Sequence, residues 1–101
     1  MYEIDPDRPD LAREFRARPY GRHSGELQRV LNRMRGGANA GRYVLICTKR
    51  HREWVLGRMG ANPGDPIERV PGYVFYSWED AEWGVFKLRW RELTGRALEL
   101  D

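Results

Sequence analysis

Residues 41–59, GRYVLICTKRHREWVLGRM, decide which class of fold this chain takes. From Tyr43 to Thr48 the run is almost unbrokenly apolar and rich in β-branched and aromatic side chains, a composition that fits a strand covered on both faces. We therefore expect it at the centre of a sheet. Lys49, Arg50, His51 and Arg52 make a charged turn. Glu53 to Met59 then returns as the antiparallel partner of a hairpin, although the same residues also tolerate a helix.

Working outward from the hairpin, HSGELQRVLNRMRGG reads as a helix. Ser24 is placed to cap it, Glu26 suits its first turn, Leu27, Val30, Leu31 and Met34 recur at i, i+3, i+4 and i+7, and Gly36 with Gly37 stops it. RGGANAGR, though Gly-rich, lacks the Gly-Lys-Ser/Thr ending of a phosphate loop and reads as a helix stop followed by a linker. Downstream, three prolines and three glycines make GANPGDPIERVPG a surface loop, and YVFYS a third short strand. The segment SWEDAEWGVFKLRWREL is then a helix from Ser77 to about Thr94, with Ser77 and Asp80 as a capping box and Gly95 as the stop.

That last helix carries two apolar stripes. Trp78, Ala81, Val85 and Leu88 form one, and Trp83, Phe86, Trp90 and Leu93 the other. A three-stranded sheet covers only one of them. The second is either core, covered by the Leu27–Met34 helix, or a contact surface for another protein, because aromatic anchors ringed by arginine make interface centres.

Residues 1–22 hold Pro6, Pro9 and Pro19 around one short segment with Leu11 and Phe15 at i, i+4 spacing. They read as an N-terminal arm with a short helix, followed by a single α+β domain over residues 23–101. The expected architecture is the arm and a helix, an antiparallel hairpin plus a third short strand, and a C-terminal amphipathic helix packed on the sheet.

Of the 101 residues 41% are hydrophobic and 33% charged, and no apolar run approaches the roughly 20 residues a bilayer requires. The N-terminus lacks the basic start and apolar stretch of a secretory signal, so the chain reads as cytoplasmic. A single cysteine excludes an internal disulfide and a Cys-rich zinc module. The net charge is +3, but the 18 basic residues, all arginine except Lys49 and Lys87, are interleaved with 15 acids. A nucleic-acid binder would gather its charge in one stripe. Arginine on a mixed surface suits protein contacts instead.

Candidate chemistry is sparse. Cys47 and His51 are four residues apart, yet the cysteine reads as a small core residue and the histidine as an exposed turn residue, which is not the accessible, electropositive setting a reactive thiol needs. No carboxylate pair is marked out for acid–base work, and no catalytic residue is assigned. VPGYVFYSWEDAE is similar to the strand and helix that follow the aromatic RNA-contacting motif of RRM domains, with Tyr73 and Phe75 on one strand face. Pro71 stands where that motif expects a basic residue and Val74 where it expects a small one.

PYGRHSGELQRVLNRMR, GRYVLICTKRHREWVLGRM and SWEDAEWGVFKLRWREL together resemble the small subunit of bacterial N,N-dimethylformamidase, in which a Pro-aromatic-Gly and a histidine precede a Leu-Gln-Arg-Val helix. The likeness runs from about Pro19 to Leu93. It implies an amidohydrolase of large and small chains, with a mononuclear iron held by tyrosine and carboxylate ligands in the large chain and none of those ligands here. The chain would then be a non-catalytic accessory subunit without a cofactor of its own. Tyr20, His23 and Arg29 would meet the larger chain from the arm and first helix, and Trp83, Phe86 and Trp90 from the last one; for His23 a structural role beside the cap is the stronger expectation. The alternative is a free-standing module that associates with itself through the same rings, with RNA or a regulator as ligand.

Overall fold

The computed structural model describes residues 3–36, 42–62 and 64–98. Helices α1 (Pro9–Ala17) and α2 (Gly25–Arg35), strands β1 (Tyr43–Lys49), β2 (Glu53–Arg58) and β3 (Glu68–Phe75), and helix α3 (Trp78–Thr94) follow one another along the chain. This is the expected α+β class. Contacts gather the chain into two compact units, one from Met1–Gly37 and Phe86–Asp101, the other from Ala38–Val85. The division falls inside α3.

In the first unit the expected arm is part of a core. Pro9 opens α1, where its missing N–H would have no helical partner in any case. Leu11, Ala12 and Phe15 are buried, as is Ile4 ahead of the helix. After α1, Pro19 prevents helix continuation, and Gly21 takes a left-handed backbone (φ +89°) that turns the chain toward α2. Ser24 Oγ then accepts the Leu27 N–H at 3.2 Å, capping α2, whose Leu27, Val30, Leu31 and Met34 are all buried. Gly36 closes the helix with its N–H on the Asn32 carbonyl. The expected linker at 37–41 lies outside the described residues.

The second unit is built on an antiparallel sheet of order β1-β2-β3. Glu53–Arg58 is a strand, paired with β1 from Tyr43↔Arg58 to Cys47↔Trp54. In the turn between them Arg52 N–H donates to the Lys49 carbonyl, and His51 takes the left-handed region at φ 60°.

Two expectations are corrected here. The central strand is β2, not β1: only β2 pairs on both sides, and it holds the fully buried Leu56. The surface loop ends sooner than expected, because Glu68 to Gly72 already belong to β3. Pro71 is tolerated there because β3 is an edge strand, and Gly72 (φ +88°) absorbs the register shift between Val55 and Gly57.

Helix α3 starts at Ser77, whose Oγ accepts the Asp80 N–H at 3.1 Å, and stops at Gly95, whose φ of 77° no ordinary helix continues. Within the sheet unit its first half lies on the face of the sheet that carries Trp54 and Phe75. Trp78 meets Trp54 edge-on at 5.7 Å, and Gly84 leaves room for the Phe75 ring.

Candidate functional site

The motif that carried the resemblance, residues 19–35, forms the turn and helix beside α1. There the Ser24 cap is itself held by Glu14 of α1, which accepts the Ser24 hydroxyl at 2.7 Å and its backbone N–H at 2.8 Å. A second tie crosses the same corner: Arg8 donates to Asp10 at 3.0 Å and pairs with Glu26 at 2.6 Å. Together with Arg29 these groups line a cleft of about 590 Å³.

The electrostatics of the cleft follow from its bonds. Hydrogen bonds from the Ser24 side chain, then from its backbone, hold the Glu14 carboxyl below its ordinary value of 4.5, and the Arg8 hydrogen bond does the same for Asp10. Both carboxyls are therefore kept charged, which is the wrong state for a general acid at neutral pH. Ser24 is engaged as a cap on both sides of its oxygen. No three His, Cys, Asp or Glu side chains among the described residues form a group that could hold a metal ion.

The corner is thus a structural clamp, and it is testable as one. Ser24→Ala should cost about 1 kcal/mol, the usual value of a cap. Because the folded-state Glu14 titrates below its unfolded value, its stabilisation is complete above the unfolded value and is lost as pH falls through the folded one. Thermal melts of the native chain should therefore weaken as pH falls below the ordinary carboxyl value of 4.5. Ser24→Ala should flatten that slope, and an unchanged slope would detach Glu14 from the clamp.

His23 belongs to the same corner. Its Nε2 lies 3.0 Å from the Arg18 carbonyl and its ring centroid 6.1 Å from that of Phe15, so it braces the turn between the helices. Tyr20 is 47% exposed, and Arg29 is exposed on α2.

The three rings of α3 are placed otherwise. Trp83, Phe86 and Trp90 are 4%, 2% and 1% exposed. Phe86 stacks on Phe15 with centroids 4.4 Å apart, and Trp90 follows at 5.9 Å from Phe86. Of the two readings of this stripe, core and contact, the core one holds, and the expectation that these rings face a partner is corrected. The helix needs no second macromolecule to cover them. Phe86 is covered in part by Phe15 of α1.

Cys47 is also corrected, since it is exposed on β1 instead of buried. Phe75, half-buried against Gly84, is not available to stack on a base, which weakens the RNA reading. What sequence reasoning missed is the surface around β3. Ile67, Tyr73, Val74, Tyr76 and Trp78 are all exposed large apolar residues, and they lie within twelve positions of one another. The alternation of YVFYS was a signal for it, but the face covered by α3 could not be chosen without Gly84.

The described residues form a small α+β protein whose N-terminal polar cluster braces two helices and whose exposed large apolar side chains, Tyr20 apart, lie in or next to one edge strand. The family model of the N,N-dimethylformamidase alpha subunit matches residues 6–99, so the chain belongs to that family. The match extends on both sides of the stretch that carried the resemblance. No curated protein matches the chain.

Proposed function

We propose that this chain is the non-catalytic small subunit of an amide-hydrolysing assembly, docked on a larger chain that carries the reacting groups and any iron they use. The observation that carries the reading is the match to the alpha-subunit family over residues 6–99. The commitment of Glu14, Ser24, Arg8 and Glu26 to bracing α1 against α2 supports it, because groups held in that way are poorly placed to act on a substrate. The contribution of this chain is packing. Tyr20 and Arg29, both exposed, are offered as contacts from its first unit.

The test is reconstitution. Expressed together with the large dimethylformamidase chain of the same genome, this chain should co-elute with it in fixed ratio, and hydrolysis of N,N-dimethylformamide should require the large chain. Turnover by this chain alone, or separate elution of the two, would defeat the proposal.

A further inference from the structure

We infer that the sheet face turned away from α3 is the surface on which the larger chain docks, an inference that rests on the subunit reading above. Side chains alternate along a strand, so Phe75 on Gly84 fixes which face is which. Val74 then lies on the other face, opposite Val55, which in turn lies opposite Ile46, so an aliphatic row crosses all three strands. In the next row Gly57 lacks a Cβ, and the Ile67 Cγ2 and Ile46 Cδ1 gather over it, each within 3 Å of where that atom would stand. Tyr76, just past β3, is 72% exposed.

An antiparallel sheet with one face in water normally turns polar side chains outward on that face. This one turns out Ile67, at 50% exposure, and Val74, at 45%, where polar groups belong. An apolar patch of this kind marks a contact surface. With the three α3 rings buried, Ile67, Val74 and Tyr76 are among the most exposed large apolar side chains of the described residues.

The occupant is identified by chemistry and by family. The chain is an alpha-subunit family member, which points to a different chain as its neighbour. Arg69 stands opposite Gly57 on the same face, exposed, so the matching surface should be apolar with a carboxylate facing that guanidinium. A second copy fits less well. It would bring the same +3 charge and the same Arg69, and Pro71 interrupts the row of N–H groups on the β3 edge that strand-to-strand pairing of two copies would use.

The experiment measures affinity of the full-length chain for the large dimethylformamidase chain of the same genome, with Val74→Glu and Tyr76→Ala as variants and thermal melts as the folding control. Both side chains are exposed, so both variants should melt close to the native chain. Val74→Glu should weaken binding at least about tenfold, and Tyr76→Ala severalfold, as anchors at an interface centre do. Native-like affinity in both variants would overturn the inference while leaving the subunit reading intact. A homodimer of the native chain that Val74→Glu dissociates, with the mixed complex unaffected, would assign the face to a second copy and overturn it too. Failure of the native chain itself to bind would remove the subunit reading, and this inference with it.

Discussion

Trp90→Ala should destabilise the isolated chain by about 3–5 kcal/mol, the usual cost of removing a large buried ring. Trp90 is 1% exposed and is the largest of the fully buried side chains. It ends a series of rings that starts at Phe15, stacks on Phe86 and closes at Trp90, and the helix backbone at this point is further tied by the Thr94 hydroxyl donating to the Trp90 carbonyl at 2.8 Å. Alanine leaves a void beside the Phe86 ring that stacks on Phe15. A domain of this size holds only about 5–15 kcal/mol in total. The midpoint should therefore fall by well over ~10 °C, at roughly 4–8 °C per kcal/mol.

The same variant separates core from contact for the C-terminal helix. A docking ring removed from an isolated chain leaves its melt almost unchanged and weakens only the complex. A core ring does the reverse order of damage, with the melt falling first and Trp90→Phe recovering the larger part of the loss. A Trp90→Ala chain that melted within a degree or two of the native one would put the ring back on the surface and contradict its burial.

What could be read in the sequence was local. Ser24, Gly36, Ser77 and Gly95 start and stop helices through bonds to residues three or four positions away, so their meaning is contained in the segment around them. The hairpin was legible for the same reason, with its turn at Lys49–Arg52. The position of a strand within its sheet is not local. The β-branched run of β1 reports a demand for burial, but the order of strands depends on β3 choosing β2, and the edge position of β1 left Cys47 exposed. The second stripe on α3 is a sharper case. Leu11 and Phe15 were visible as an apolar pair in the N-terminal segment, yet that Phe15 would stack on a residue 71 positions later is a property of the folded chain alone. Hence the sequence alone shows an apparent surplus of rings that the folded chain does not have.

The candidate docking face was hidden by the same limit. Tyr73 and Phe75 on one side of β3, and Val74 and Tyr76 on the other, are equally apolar, so periodicity cannot say which pair is turned to solvent. Gly84 resolves it. A glycine in the interior of a helix costs about 1 kcal/mol against alanine and so invites a reason. Here the reason is the ring of Phe75.

Gly84→Val should cost about 3 kcal/mol, near the upper end of what an overfilled core loses. Even the first carbon added at Gly84 would stand 2.5 Å from both Cε1 and Cζ of Phe75, far inside the ~3.5–4 Å at which carbons attract. The ring is half-buried against the helix, where Ala81 and Val85 on either side of Gly84 are also buried, so it has to shift to make room. Gly84→Ala is the more revealing companion, since helix propensity alone predicts a gain of about 1 kcal/mol and the contact predicts a loss. If the contact is the cause, the penalty depends on the ring: in a Phe75→Ala background Gly84→Ala should become neutral or stabilising, giving a coupling of about 1–3 kcal/mol in a double-mutant cycle. Simple additivity would mean that the glycine answers to something other than Phe75. Because Val74 adjoins Phe75 on the same strand, a ring displaced by Gly84→Val should also disturb the opposite sheet face. The variant should then bind the large chain more weakly even at temperatures where it remains folded.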